Sequence, residues 1–514
     1  MLFSSIEFIA GFLPIALLLY YLARRRNFTL AMAVLTLTSL FYYAWWNPPY
    51  LLVIVLSMAA NFGASHAIYK WPKGKRPLFL LGLLANLGAL FFFKYTNFFF
   101  DQINLFQTHD WHIDKIILPL GISFFTFQQI AYLFDIYQGK IRPGKLLTYT
   151  TFVTFFPQLI AGPIVHHSQM MPQFDKDQSG QFNWQNLSVG ITLFALGLFK
   201  KVIIADNLAP MAQLVFDNTH QGHPILPIDA WAGTLAYTFQ IYFDFSGYSD
   251  MAIGAARMFG IILPLNFYSP YKSASIIDFW RHWHITLSSF LRDYLYIPLG
   301  GNRSGRFNRY RNLLITMVLG GIWHGAGWGF VIWGTLHGLC LIINHAWRNL
   351  LKLCNLQTLQ YHWWYRFTGI CLTFLFVMIC WIFFRAQNAS DAWQIILTMS
   401  NITHMDLPSQ LVKDWPFLAH WSNTVPNALG AYHTHKRILR VWLPVAMFIA
   451  FIMPNSEQFM STKHHSHSPL PQKKQGWLVF NYDWVCILLT VFSLLFAIYN
   501  MMTNSISEFL YYDF

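Results

Sequence analysis

Apolar runs long enough to cross a lipid bilayer recur from one end of the chain to the other. A helix needs roughly 20 apolar residues to cross the hydrocarbon core, and only helices and closed barrels satisfy their backbone hydrogen bonds in lipid. The runs lack the alternation that a barrel strand requires. They predict an all-α polytopic membrane protein. The candidate spans are Phe8–Leu22, Phe28–Trp46, Leu51–Tyr69, Leu78–Phe98, Ile116–Ile136, Tyr149–Val165, Leu187–Ala205, Trp231–Phe259, Leu313–Trp323, Phe330–Trp347, Phe367–Phe384, Leu439–Met453 and Trp484–Tyr499.

The charge composition supports this class. Only 11% of the residues are charged, against about 25% in a typical soluble domain. The formal net charge is +13, and in a membrane protein such an excess lies mostly in cytoplasmic loops that meet anionic membrane lipid. It could also attract a polyanionic cytosolic ligand, and nucleic acid is not needed to explain it.

Basic clusters orient the first half of the chain. They follow the first, third and fifth spans, at Arg24–Arg26, Lys70–Arg76 and Lys140–Lys145, whereas the intervening loop Asp101–Lys115 holds one lysine against three aspartates. By the positive-inside rule these clusters face the cytosol and the N-terminus faces outward. Met1–Ala10 has no basic stretch and no signal-peptide cleavage pattern, so the first run is expected to be an uncleaved span.

A histidine stands inside the apolar stretch Leu313–Ile343. An ionisable side chain at membrane depth is costly and is usually kept for function. Glycines near it let backbone or ligand approach closely, and tryptophans can form the walls of a cavity. We predict that His324 is a general base in a buried cavity, with a purely structural histidine as the alternative. The neighbouring residues are Gly320, Gly321, Trp323, Gly325, Gly327, Trp328, Gly329 and Trp333.

A second signature lies in Ile276–Tyr296, which predicts one amphipathic helix that lies at the interface or dips into the protein. His284 falls on its apolar stripe and should point inward, where it could orient the first imidazole, bind the acyl carbonyl or pass a proton. A structural hydrogen bond is the alternative. His282 falls on another face and is the weaker candidate. The apolar stripe is Trp280, His284, Leu287 and Leu291, and the polar stripe is Asp278, Arg281, Ser288 and Arg292.

Two further segments place unusual residues at membrane depth. Phe243–Asp250 carries two carboxylates beside a long apolar run, and buried acids are paired or functional. We predict structural pairing with Arg281 or Arg292 in preference to catalysis. Phe156–Pro163 predicts a broken helix or re-entrant turn that could line an acyl channel.

The segment Gly300–Arg311 combines glycine and asparagine with four arginines, which predicts a cytosolic loop. Its arginines can serve as an orientation signal, or they can bind phosphates, for which the guanidinium geometry is suited. Under the second interpretation, Arg303 and Arg306 are the residues that bind the phosphates of a coenzyme.

The rest of the sequence adds mainly exclusions. There is no Gly-x-Ser-x-Gly elbow, Walker loop or Rossmann fingerprint. The five cysteines form no zinc-type spacing, and no metal site is expected. Gln387–Lys436 is expected to form short interfacial helices, and the histidine-rich Thr462–Gln475 a loop.

Taken together, these motifs resemble the membrane-bound O-acyltransferase family, and within it the bacterial alginate O-acetyltransferase-like branch. They cover about Leu120 to Gly338, and residues 1–514 are interpreted as a single integral-membrane domain. The matching segments are Gly121–Gln128, Phe156–Pro163, Asp244–Asp250, Asp278–Ser288, Leu291–Arg303, Trp323–Gly325 and Trp333–Gly338.

The resemblance implies a helical bundle with re-entrant and interfacial helices around a central tunnel. It implies that His324 is the catalytic histidine and that His284 is the second polar residue of the site. The common bacterial pattern has arginine where this chain has His282, which puts any role of that position in doubt. The remaining substrate-binding residues assigned within the matching motifs are Trp323, Trp280, Arg281, Asp293 and Tyr294.

The implied reaction moves an acetyl group across the bacterial cytoplasmic (inner) membrane. The donor would be a cytosolic thioester, with acetyl-CoA as a substrate and no separate cofactor. The acceptor would be the hydroxyls of an extracytoplasmic, alginate-like polysaccharide, reached directly or through a periplasmic or membrane-anchored acetyl-relay protein. His324 would act as a general base or carry the acetyl group covalently, and the sequence leaves both routes open.

Three alternatives remain at this stage. Within the family, D-alanine transfer to teichoic acid belongs to members that are typically shorter and lack the tail after about Phe384. Acetylation of peptidoglycan or cellulose is a second possibility. A transporter of polysaccharide or lipid is a different class, for which broken helices are present but repeat symmetry is not.

Overall fold

The computed structural model describes residues 1–105, 114, 116–175, 181–303, 305–401, 407–408, 413, 416, 424–425, 438–460, 484–503 and 509–510. The predicted loop Thr462–Gln475 lies outside the described residues, as do most of Gln387–Lys436 and of Asp101–Lys115. Almost everything described is helical. Within the described part, strand structure is confined to Leu407–Pro408 and Thr424–Val425, which pair in parallel. The prediction of an all-α membrane protein is confirmed.

The helices are numbered in chain order. They are α1 Leu13–Arg24, α2 Phe28–Ala44, α3 Tyr50–Lys70, α4 Lys75–Asn104, α5 Ile122–Tyr137, α6 Leu146–Thr154, α7 Phe156–Leu159, α8 His167–Asp175, α9 Trp184–Leu198, α10 Asp206–His220, α11 Pro227–Met258, α12 Ile276–His282, α13 Ile285–Leu291, α14 Gly305–His324, α15 Trp328–Leu353, α16 Trp363–Arg385, α17 Ala389–Ser400, α18 Leu443–Phe451, α19 Ser456–Met460 and α20 Trp484–Thr503. Among the described residues, four segments are π-helical, namely Glu7–Phe12, Phe199–Ala205, Arg292–Tyr296 and Ile438–Trp442.

The chain forms two compact units. The first contains Met1–Phe199, Gly247–Asn266 and Ser456–Asn504. The second contains Lys200–Ser246, Phe267–Asn455 and Ser505–Phe514, and it holds the histidine motifs.

Six helical segments among the described residues are long and apolar enough to cross a membrane. Their outward faces carry large apolar side chains, such as Leu84 on α4 and Leu372 on α16, which suits contact with lipid chains. The protein is therefore a multi-pass membrane protein. The six segments are Glu7–Arg24, Tyr50–Lys70, Pro72–Asn104, Trp184–His220, Trp328–Leu353 and Trp363–Arg385.

The predicted broken helix in the first unit is confirmed. Helix α6 ends at Thr154, and the short α7 starts anew with Pro157 in its first turn. Gly121, which precedes α5, has φ of +70°, and a Cβ atom there would lie 2.7 Å from the carbonyl oxygen of Leu159. The backbone at the start of α5 thus packs directly on the broken segment, which only glycine permits.

Helices α14 and α15 form a tight antiparallel pair in the second unit. A Cβ atom at Gly334 would overlap the carbonyl oxygen of Met317, and one at Gly321 would overlap that of Phe330. Small residues at these crossings let the two backbones approach closely. This packing fixes His324, the last residue of α14, against the start of α15.

Helix α14 is longer than the predicted span Leu313–Trp323. It begins at Gly305, so Arg306 lies on its first turn and not in a loop. The prediction of a loop through Arg311 is wrong, since the chain is helical from Gly305 onward and Asn308 lies inside the helix.

The prediction of one amphipathic helix over Ile276–Tyr296 is also wrong. Helix α12 ends at His282, and α13 begins at Ile285, followed by a π-helical turn. Trp283 and His284, which lie between the two helices, are both fully buried.

Candidate active site

His324 lies in an aromatic box. Its ring centroid is 4.9 Å from that of Trp323, 5.1 Å from that of Trp333 and 5.3 Å from that of Phe384. The side chain is buried, and the three rings keep bulk water away from the imidazole. An imidazole held in this way can serve as a proton acceptor when it is neutral.

His284 is fully buried and occupies the break between α12 and α13. Its backbone is left-handed, with φ of +42° and ψ of +55°. A non-glycine residue in this region is strained, and such strain is often found at functional sites. His284 lies outside the candidate membrane spans, and burial lowers the pKa of its imidazole to about 3. The ring is therefore neutral at physiological pH.

The two predicted histidines share an aromatic neighbour. The ring centroid of Trp323 lies 6.5 Å from that of His284 and 4.9 Å from that of His324. The structure thus brings both imidazoles into one buried cluster of the second unit. Two buried imidazoles in an aromatic-walled cluster are suited to accept and pass a proton.

A third buried histidine belongs to the same cluster. Trp280 Nε1 donates a hydrogen bond of 3.3 Å to Nδ1 of His337, whose ring centroid lies 4.7 Å from that of Trp333. Accepting at Nδ1 places the proton of the neutral ring on Nε2. His337 therefore holds the indole of Trp280 in place. His337 was not among the residues predicted for the site, although Trp333 and His337 have the i, i+4 spacing of one helix face.

Other predicted site residues have their described contacts outside this cluster. Arg281 is exposed on α12. Asp293 accepts two hydrogen bonds from Arg292, at 2.7 and 2.9 Å, and Tyr294 packs on Phe290.

His282 Nδ1 lies 2.8 Å from the carbonyl oxygen of Asp278, a local contact within α12. Arg303 and Arg306 are exposed at the start of α14. Their assignment to substrate and donor remains a prediction.

The predicted pairing of the buried carboxylates with arginine is wrong. Asp244 Oδ1 lies 2.6 Å from Lys201 Nζ, which is also 2.8 Å from Asp206 Oδ1. Asp250 accepts a hydrogen bond from the hydroxyl of Ser456. The lysine comes from the π-helical turn Phe199–Ala205, and no local sequence pattern connects it to Asp244.

Residues near the end of the chain pack behind His284. The ring centroid of Phe245 is 4.8 Å from that of His284 and 5.9 Å from that of Phe509. The backbone N–H of Leu510 donates to Asp244 Oδ2 at 3.1 Å. The second unit therefore supports His284 from a part of the chain more than 200 residues away in sequence, and sequence analysis missed this support.

Comparison with known proteins covers the whole chain. The chain is 40% identical to the peptidoglycan O-acetyltransferase of Helicobacter pylori, over 100% of this chain and 98% of that protein. It is 36% identical to the "probable alginate O-acetylase AlgI" of Pseudomonas aeruginosa, over 100% of both chains. The model of MBOAT, the membrane-bound O-acyltransferase family, matches residues 140–388. This chain belongs to the membrane-bound O-acyltransferase family.

The family match includes all three histidines of the cluster. Membership of this family makes the protein an O-acyltransferase, as the resemblance of its motifs implied. A more distant relative is the teichoic acid D-alanyltransferase of Streptococcus thermophilus, which is 28% identical over 53% of this chain and 69% of that protein.

No group of three or more His, Cys, Asp or Glu side chains arranged to hold a metal ion occurs among the described residues of this O-acyltransferase.

We expect His284→Ala to lower turnover of this O-acyltransferase by a factor on the order of 10² to 10⁴, as is typical for a positioned acid–base group. His284→Asn should fold better than His284→Ala, because asparagine adopts the left-handed backbone more readily. The measurements are acyl transfer by the purified variants and their unfolding temperatures in detergent.

His282→Ala is the matched control for this prediction, since it removes a histidine two positions away that makes local contacts. It should cost less activity than His284→Ala. A larger loss for His282→Ala would contradict the assignment of the inward-facing role to His284.

Proposed function

We propose that this membrane-bound O-acyltransferase transfers an acetyl group from a cytosolic thioester to hydroxyls of an extracytoplasmic glycan. The observation that carries the proposal is the pair of buried imidazoles, His284 and His324, that share Trp323 in an aromatic cluster. The acetyl group is favoured because the two full-length relatives described above are named for acetyl transfer. The relative named for D-alanyl transfer aligns with only 53% of this chain.

The proposed chemistry needs one base. His324 accepts the proton of the acceptor hydroxyl while the oxygen attacks the thioester carbonyl. The carbon–sulfur bond then breaks, and the leaving thiolate takes the proton back from the imidazolium, so atoms and charge balance. An acetyl-histidine intermediate is the other route. In both routes, fixing donor and acceptor in one site supplies much of the rate.

The donor we propose is acetyl-CoA, with no separate cofactor. Arg303 and Arg306 are exposed at the basic end of α14, and guanidinium groups suit phosphate. Since a helix rises 1.5 Å per residue, Arg306 lies about 27 Å along the axis from His324. These arginines would therefore contact a donor only at the cytosolic entrance, far from the reacting carbonyl.

For the acceptor we propose a cell-envelope glycan of the alginate type, outside the cytoplasmic membrane. Peptidoglycan is a second candidate, because the peptidoglycan enzyme of Helicobacter pylori is 40% identical across the full chain. Both acceptors present sugar hydroxyls, so the same base would serve either one.

We also propose a separate protein partner on the outer side, which receives acetyl from this enzyme or presents the glycan to it. The loop Asn47–Tyr50 faces outward by the positive-inside rule, and it is short. A polymer that is modified repeatedly must be held over several sugar units, and so short a loop gives little surface for that.

The test uses the full-length protein in proteoliposomes with radiolabelled acetyl-CoA. We expect thioester consumption that depends on His324, little acetylation of long polysaccharide by the protein alone, and no consumption of a D-alanyl thioester. Movement of glycan or lipid across the membrane without acetyl release would favour a transporter. Efficient polymer acetylation without added protein would overturn the partner proposal but leave acetyl transfer intact.

A further inference from the structure

A cavity of about 670 Å³ lies in the first unit, between α1 and the start of α9. It is remote in sequence from the histidine motifs, and the chemistry proposed above does not use it. Its walls combine basic, aromatic and aliphatic side chains. The lining residues are Pro14, Leu17, Leu18, Tyr21, Arg24, Arg25, Gln181, Phe182, Trp184 and Leu187.

The cavity has a basic end and an apolar end along α1. Arg24 and Arg25 stand at the C-terminus of the helix, and the aliphatic residues Pro14, Leu17 and Leu18 line its preceding turns. From Pro14 to Arg24 the helix rises about 15 Å. Arg24 is further oriented by the ring of Phe28, whose centroid lies 5.2 Å from the guanidinium carbon. The long dimension of the cavity therefore runs from positive charge to aliphatic surface.

Aromatic residues mark the boundary between these two ends. The hydroxyl of Tyr21 donates a hydrogen bond of 2.6 Å to the carbonyl oxygen of Met258, which holds the ring in place. Phe182 packs edge-on against Tyr21 and Trp184, with centroids 5.1 and 4.9 Å apart. Tyrosine and tryptophan are typical of the level where lipid headgroups meet hydrocarbon. The cavity therefore spans the membrane–water interface.

The charge identifies the leaflet. Arg24–Arg26 is the first basic cluster of the chain and faces the cytosol by the positive-inside rule. Anionic lipids attract basic side chains at this surface. Leu18 and Trp184 are strongly exposed, so the wall is open to surrounding lipid. A small soluble anion would make no contact with the aliphatic half of the cavity. An uncharged lipid would leave the charges of the two arginines uncompensated.

We propose that this cavity binds one anionic phospholipid of the cytosolic leaflet. The headgroup phosphate accepts hydrogen bonds from Arg24 and Arg25, and an acyl chain lies along Pro14, Leu17 and Leu18. The site is separate from the proposed acetyl-transfer chemistry, so lipid binding does not require that function to be correct.

The test is native mass spectrometry of the full-length protein after incubation with equal amounts of phosphatidylglycerol and phosphatidylcholine of matched chains. We expect one phosphatidylglycerol to be retained in preference. Arg24→Gln/Arg25→Gln should weaken its binding on the order of 30-fold, from the contribution of two basic residues near an anionic headgroup. Leu18→Trp keeps both arginines but narrows the aliphatic half, and it should also weaken binding.

The matched control is Lys73→Gln/Arg76→Gln, which removes two exposed positive charges from the next basic cluster. It should bind phosphatidylglycerol like the unmodified protein. Equal retention of the two lipids, or an equal loss in the control, would overturn the proposal. Inorganic phosphate binding as tightly as phosphatidylglycerol would overturn it too, because the aliphatic half would then contribute nothing.

Discussion

Replacing His324 with alanine should abolish acyl transfer while the protein still inserts into the membrane and purifies as a single species. The imidazole is the ionisable group at the end of α14, enclosed by Trp323, Trp333 and Phe384. Removing a positioned base costs on the order of 10² to 10⁴ in rate, and the alanine variant also loses any covalent route. The measurement is thioester consumption by purified protein in proteoliposomes.

His324→Phe separates chemistry from packing. Phenylalanine keeps a planar ring in the aromatic box but can neither accept a proton nor carry an acetyl group. An inactive, well-folded His324→Phe would support the proposed base. Near-normal turnover by either well-folded variant would overturn it, and loss of folding in the alanine variant alone would show the packing contribution of the ring.

The sequence was sufficient to single out two of the three histidines of the cluster, His284 and His324. An imidazole in a glycine- and tryptophan-rich apolar segment is unusual enough to single out His324. The inward position of His284 was also predicted correctly, although the reason was wrong. It was derived from a continuous helix, whereas the structure buries His284 at a left-handed break. The tertiary contacts of Trp283 and His284 override the local helical pattern there.

Long-range partners were beyond the reach of the sequence. Lys201 and Asp244 are 43 positions apart in the sequence. Likewise, nothing local indicates that Phe509 packs on Phe245 or that Trp280 is held by His337. Periodicity reports which face of a helix is apolar, but it carries no information about which distant residue completes a buried polar group.

Lys201→Met should destabilise the protein by about 3 to 5 kcal/mol, the usual cost of removing one partner of a buried ion pair. Lys201 lies 2.6 Å from Asp244 and 2.8 Å from Asp206. Side-chain exposures of 4% for Lys201 and 1% for Asp244 leave little water to replace the lost cation. We expect a markedly lower unfolding temperature in detergent. Activity should fall as well, because Asp244 adjoins Phe245, which packs on His284.

Lys140→Met is the matched control, with the same chemical change at an ion pair whose lysine is solvent-exposed. Lys140 Nζ is 3.6 Å from Asp135 Oδ1, and the lysine side chain is 57% exposed, whereas that of Asp135 is 10% exposed. Water can replace an exposed cation, so the pair should contribute about 0.2 to 1 kcal/mol and the unfolding temperature of the variant should barely change. Lys201→Met/Asp244→Leu should recover part of the lost stability, since an apolar pair avoids the uncompensated buried carboxylate. If Lys201→Met were no less stable than Lys140→Met, the ion pair between Lys201 and Asp244 would not stabilise the packing of α11 around Asp244.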